Sequence, residues 1–107
     1  MSEIRIVFKR PGFPAEVRLI ENTLESLQAQ LDGGCLEGIA LTEEILGYAD
    51  DEGLLKELPV NIVIDGQPIV GPVIFSKIDE GGDDIGFPDE AEAFRVCQML
   101  DERAWGD

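Results

Sequence analysis

From Glu3 to Lys9 apolar and polar positions alternate, with Ile4, Ile6 and Phe8 on one side and Arg5, Val7 and Lys9 on the other. A period of two predicts a half-buried β-strand. Arg10-Pro11-Gly12-Phe13-Pro14 predicts a turn, because its prolines remove backbone donors and its glycine accepts a positive φ. The extended pattern resumes over Glu16–Ile20, so the chain opens with a β-hairpin. Asn22 with Glu25 three residues on has the spacing of a capping box, which predicts Asn22 as a helix N-cap. Leu24, Leu27 and Leu31 then share a helical face, and Gly33-Gly34 ends the helix.

Leu36–Leu41 and Ile45–Ala49 predict two more strands, followed by a polar turn at Asp50-Asp51-Glu52-Gly53. Pro59 argues against a long helix over 54–61. The β-branched run Ile62–Ile64 ends at Asp65-Gly66, a strong turn pair. Beyond the break at Gly71-Pro72, Val73–Ile78 is apolar on both faces, as a central strand is. Asp79–Gly86 reads as an acidic, glycine-rich loop. Asp89 and Glu92 repeat the capping-box spacing and open a helix that runs to about Arg103, with Ala93, Phe94, Cys97, Leu100 and Ala104 as its apolar stripe. No linker or repeat interrupts the pattern. The whole chain, 1–107, is expected to be a single α+β domain: a mainly antiparallel sheet opened by a β-hairpin, one helix after it and one C-terminal helix.

The helix cap and stop, the turns and the strand entries form an ordered set. It comprises Ile20-Glu21-Asn22-Thr23-Leu24-Glu25-Ser26-Leu27-Gln28 after the hairpin, Gly33-Gly34, the stretch from Asp51 to Asn61, and Ile69-Val70-Gly71-Pro72-Val73-Ile74-Phe75. In this set the chain resembles a domain family of unknown function found in small phage and mobile-element proteins. The resemblance implies an accessory protein acting inside a bacterium and brings no catalytic residue with it.

Charge changes the picture more than composition does. The 107 residues are 44% hydrophobic, enough for a core, but 23 acids face 8 basic residues, with no histidine, for a net −15. Up to Ile20, Arg5, Lys9, Arg10 and Arg18 outnumber Glu3 and Glu16, a net of +2, so the rest of the chain carries −17. Such a balance excludes conventional nucleic-acid binding and attachment to anionic lipid, which both rest on Lys and Arg. The opening residues lack a signal peptide's basic-then-apolar order, and no apolar run is long enough to span a bilayer, so a cytoplasmic location is expected, which the resemblance makes that of a bacterial host cell. Cys35 and Cys97 are expected as buried free thiols.

No cofactor or metal signature is present. Asp79 to Gly86 breaks the ligand alternation of an EF-hand, and transition-metal sites lack histidine or a cysteine pair at ligand spacing. Ser2, Ser26, Ser76 and the cysteines lack a histidine partner, so enzymatic activity is not expected. The candidate partner-binding residues are Asp50, Asp51, Glu52, Asp79, Glu80, Asp83, Asp84, Asp89, Glu90 and Glu92. Dense carboxylates can imitate the phosphates of duplex DNA, spaced about 1.7 Å along its axis, and bind a basic nucleic-acid-binding host protein. The plain alternative is a solvated coat serving solubility. A second reading takes Arg5, Lys9, Arg10 and Arg18 as a site for a small anionic ligand such as a nucleotide, with Arg5 and Lys9 on one strand face and Arg18 across from them. A third is a structural or homo-oligomeric module.

Overall fold

The computed structural model describes residues 3–31 and 36–105; Gly33-Gly34 and Cys35 lie outside them. Strands β1 (Glu3–Lys9) and β2 (Glu16–Glu21) form the opening hairpin, followed by α1 (Leu24–Gln30). Next come β3 (Leu36–Ala40), β4 (Ile45–Asp50), the hairpin β5 (Val60–Ile64) and β6 (Gln67–Val70), then β7 (Val73–Lys77) and α2 (Glu90–Glu102). Five strands make an antiparallel sheet in the order β2-β1-β7-β4-β3, while β5 and β6 pair apart from it. This is the expected α+β class.

The two faces of the sheet carry separate cores. Ile4, Ile6, Phe8, Ile20 and Ile74 pack with Leu27 of α1 on one face. Val7, Val73 and Phe75 pack on the other with Ala93, Val96, Cys97 and Leu100 of α2 and with Ile62 and Ile64 of β5. The expectation of a half-buried β1 is therefore corrected: Val7 and Lys9 are buried too, because α2 and the β5–β6 hairpin cover the face that alternation left polar. Lys9 Nζ donates to Asn61 Oδ1 at 2.9 Å, and Asn61 Nδ2 donates to the carbonyls of Lys9 and Gly71, both at 2.8 Å. A buried polar group needs such bonds to offset its lost hydration.

Local chemistry explains most of the joints. Asp65 and Gly66, at φ 51° and 79°, make the two-residue turn between β5 and β6 that twists with its strands. Gly47 lets β4 pass the ring of Phe75, which a Cβ there would meet at 2.2 Å. The segment after α2 docks on β5 through Val63 N to Arg103 O and Trp105 N to Asn61 O, both 3.0 Å.

Both helices depart from the expected stripes. The α1 N-cap is Thr23, not Asn22: its side chain accepts from Ser26 N, while Asn22 Nδ2 reaches Asp84 O at 3.1 Å. Leu27 and Leu31 are buried, but Leu24, in the first turn, is exposed. On α2 the cap is Asp89, as expected, accepting from Glu92 N. Phe94 is 56% exposed, contrary to its place in the stripe. The buried residues Ala93, Val96, Cys97 and Leu100 cluster about one direction, and at 100° per residue Phe94 points well away from it.

Candidate functional site

The register decides which acidic residues meet. Antiparallel pairing of Ile45 with Lys77 and of Glu3 with Glu21 brings the start of β1, the ends of β2 and β7 and the start of β4 to one end of the sheet. The loop after β7 turns back there: Asp79 N bonds Asp83 O, and Ile85 N bonds Lys77 O. Ile78 N bonds Glu44 O, which holds the β3–β4 turn, with Glu43 and Glu44, beside it. Asp89, Glu90 and Glu92 follow in the cap and first turn of α2, where the helix dipole favours negative charge. Asp79, Glu80, Asp83, Asp84, Asp89, Glu90 and Glu92 are thus gathered at this end.

Asp50, Asp51 and Glu52 are not. They close β4 at the opposite end, about 17 Å along a six-residue strand. Asp50 is buried, contrary to its expected place among exposed carboxylates, with Lys56 Nζ 2.6 Å from Oδ2 and Glu52 N donating to Oδ1 at 2.9 Å.

Several acids in the gathered set have structural partners. Asp79 Oδ1 accepts from Gly81 N at 2.9 Å and Asp83 N at 3.0 Å, pinning the loop. Glu92 pairs with Lys77 at 3.0 Å. Asp84 is half-buried and accepts from the Tyr48 hydroxyl at 2.9 and 3.0 Å. Burial pushes the Asp84 carboxyl up, the Tyr48 hydrogen bond opposes this, and Asp83 adds to it. Tyr48 is itself raised, first by burial and then by its bond to Asp84. Glu80, Asp83 and Glu90 are exposed and, of these acids, are the ones left to solvent by side chain. The Tyr48–Asp84 pair escaped sequence reasoning because 36 positions separate its members and nothing local marks either. Among the described residues no cluster of three or more Cys, Asp or Glu is placed to hold a metal ion. Cys97 is free, and burial pushes its thiol up to about 11.

The four basic residues of the hairpin do not form one cluster. Arg18 stands opposite Ile6 and shares its face, so it lies across the sheet from Arg5 and Lys9, and the expectation that it joins them is corrected. Arg5 donates to Phe87 O at 2.9 Å, and Lys9 is buried. Arg10 and Arg18 do converge, both over the ring of Phe8.

The arrangement defines a small α+β domain with a group of carboxylates gathered at one end of its sheet and Arg10 at the other, the end that also holds Asp50, Asp51 and Glu52. Residues 4–101 match a family described as a domain of unknown function (DUF3846), and the chain belongs to that family. No curated protein and no solved structure matches it. Among the described residues no helix is long and apolar enough to cross a membrane.

Proposed function

We propose that this is a non-enzymatic interaction protein of a phage or mobile element, acting in the bacterial cytoplasm. Its acidic end binds the basic nucleic-acid channel of a host defence or transcription protein and inhibits it by nucleic-acid mimicry. The observation that carries this reading is the convergence of the 79–84 loop and the first turn of α2 on one end of the sheet, with Glu80, Asp83 and Glu90 exposed. Carboxylates held on a pinned loop and a helix terminus keep their spacing, which favours docking against fixed Lys and Arg.

The test follows from which acids are structurally free. Glu80, Asp83 and Glu90 are changed to Lys together; Asp79, Asp84, Asp89 and Glu92 are left, since each has a bonding role in the fold. Immobilised wild type is expected to retain a host protein from bacterial lysate at about 50 mM salt and release it at about 200 mM, as multi-contact ionic binding does. Duplex DNA should displace that protein, and the triple variant should not capture it. Equal capture by wild type and variant, or indifference to DNA, would falsify the reading.

A further inference from the structure

The arginine-bearing end carries a feature independent of the acidic one. Phe8, Arg10, Arg18, Ala29, Gln30 and Pro72 line a hollow of about 330 Å³ with two arginines in its wall, and among the described residues the one carboxylate bonded to them is Glu16, on Arg18. The Arg18 guanidinium carbon sits 3.8 Å from the centre of the Phe8 ring, and its nitrogens donate to Glu16 Oε1 and Gln30 Oε1, both at 2.7 Å. The Arg10 guanidinium lies 5.6 Å from Phe8 and 5.4 Å from Phe13, and it forms no ion pair among the described residues. A second hollow of about 350 Å³ shares Phe8 and Arg10 with the first and adds Phe13, exposed beside Pro14, and Glu16. The Glu16 carboxylate is already paired with Arg18 at 2.7 Å and must yield to or share that guanidinium with an incoming phosphate.

We infer that the two hollows form one site for a nucleoside monophosphate, with the phosphate between Arg10 and Arg18 and the base against Phe13. Guanidinium groups match phosphate oxygens with paired N–H donors, and a phosphate monoester offers enough oxygens for both. Gln30 spends its amide oxygen on Arg18, which leaves its amide nitrogen as a further donor into the hollow. An exposed ring next to an anion site suits a ligand with a flat aromatic group, since stacking on Phe13 is indifferent to base identity. The net −15 does not forbid an anion here. The carboxylates gathered around the 79–84 loop lie about 20 Å away along β1, beyond the roughly 8 Å screening length of physiological salt. Asp50, at the same end of the sheet as the hollow but two strands from β1 at about 10 Å, is paired with Lys56.

Isothermal titration of the full chain with AMP, GMP, CMP and UMP in turn tests the site, with adenosine and inorganic phosphate as separate arms. At least one nucleotide is expected to bind, with phosphate alone and adenosine each tenfold or more weaker. Arg10→Ala should weaken that nucleotide at least tenfold, and Arg10 is an exposed loop residue whose loss leaves the fold in place. Gln30→Glu keeps an acceptor for Arg18 but puts a negative charge in the hollow, and should weaken binding as much. Glu80→Lys, at the far end, should leave it unchanged. Absence of binding by all four nucleotides at millimolar concentration overturns the inference. So does equal affinity in wild type and both site variants, and so does binding of phosphate or adenosine alone as tight as that of the nucleotide.

Discussion

Asp50 differs from the other carboxylates in being enclosed, with 2% of its side chain exposed and Lys56 against it. The Lys56 hydrogen bond holds its carboxyl below the usual range, although burial pushes the other way, and the Glu52 amide adds to the lowering. A carboxyl held low in the folded state gives up its proton more readily there than in the unfolded chain. Its stabilisation is therefore full above the unfolded value of about 4 and is lost as pH falls through the folded one. Asp50→Asn should then cost about 1.5–3 kcal/mol near neutral pH, the range for a hydrogen bond to a charged group. Urea unfolding across the acid range should show that cost shrinking as the wild type protonates; a cost independent of pH would mean the ion pair contributes nothing. Asp84 has the opposite sign, because it is raised: its protonated form is favoured in the fold, so ionisation above about pH 4 weakens the folded state. Asp84→Asn should accordingly compare better with wild type at neutral pH than at acid pH.

For the elements, the sharpest issue is which residue starts α1. Thr23 has extended backbone, φ −134° and ψ 154°, and its Oγ1 accepts from Ser26 N at 3.1 Å. Thr23→Ala should cost about 1 kcal/mol, as removal of an N-cap side chain does. Asn22→Ala removes one exposed bond to Asp84 O and should cost about 0.5 kcal/mol or less. Chemical denaturation of the two variants decides between them, and the reverse order would return the cap to Asn22. Sequence spacing brought the start of this helix to within one residue because Asn22 and Thr23 are both good caps. The choice rests on a loop more than fifty positions away, to which Asn22 is diverted. The opening hairpin, the Asp65-Gly66 turn and the Asp89 cap were legible because their causes lie within a few residues. Phe94, Lys9 and Arg18 were misplaced because their surroundings are set by neighbours from other elements. The candidate acids follow the same rule: their presence could be read along the chain, but the register alone separates Asp50, Asp51 and Glu52 from the rest.

Charge acts on the molecule as a whole, and two opposing effects of salt can be weighed. Salt weakens the ion pairs Arg18–Glu16, Lys56–Asp50 and Lys77–Glu92, of which the more exposed are each worth about 0–1 kcal/mol. It also screens repulsion among the carboxylates at the acidic end. Two unit charges about 10 Å apart in water repel by about 0.4 kcal/mol, and a set of this size has many such pairs, so repulsion is the larger sum. The melting temperature is therefore expected to rise between about 20 and 500 mM sodium chloride, by several degrees if about 1 kcal/mol is recovered. Changing Glu80, Asp83 and Glu90 to Lys should raise the low-salt melting temperature and flatten its dependence on salt, despite the small loss at the helix terminus from Glu90. Calorimetry of both proteins over a salt series measures the two slopes. A wild type that melts lower in salt, or a variant with the same slope, would show that these carboxylates are too well solvated to repel. In the expected case the acidic end is a strained surface, and a basic partner that neutralises it would recover in binding part of what the folded domain forgoes in stability.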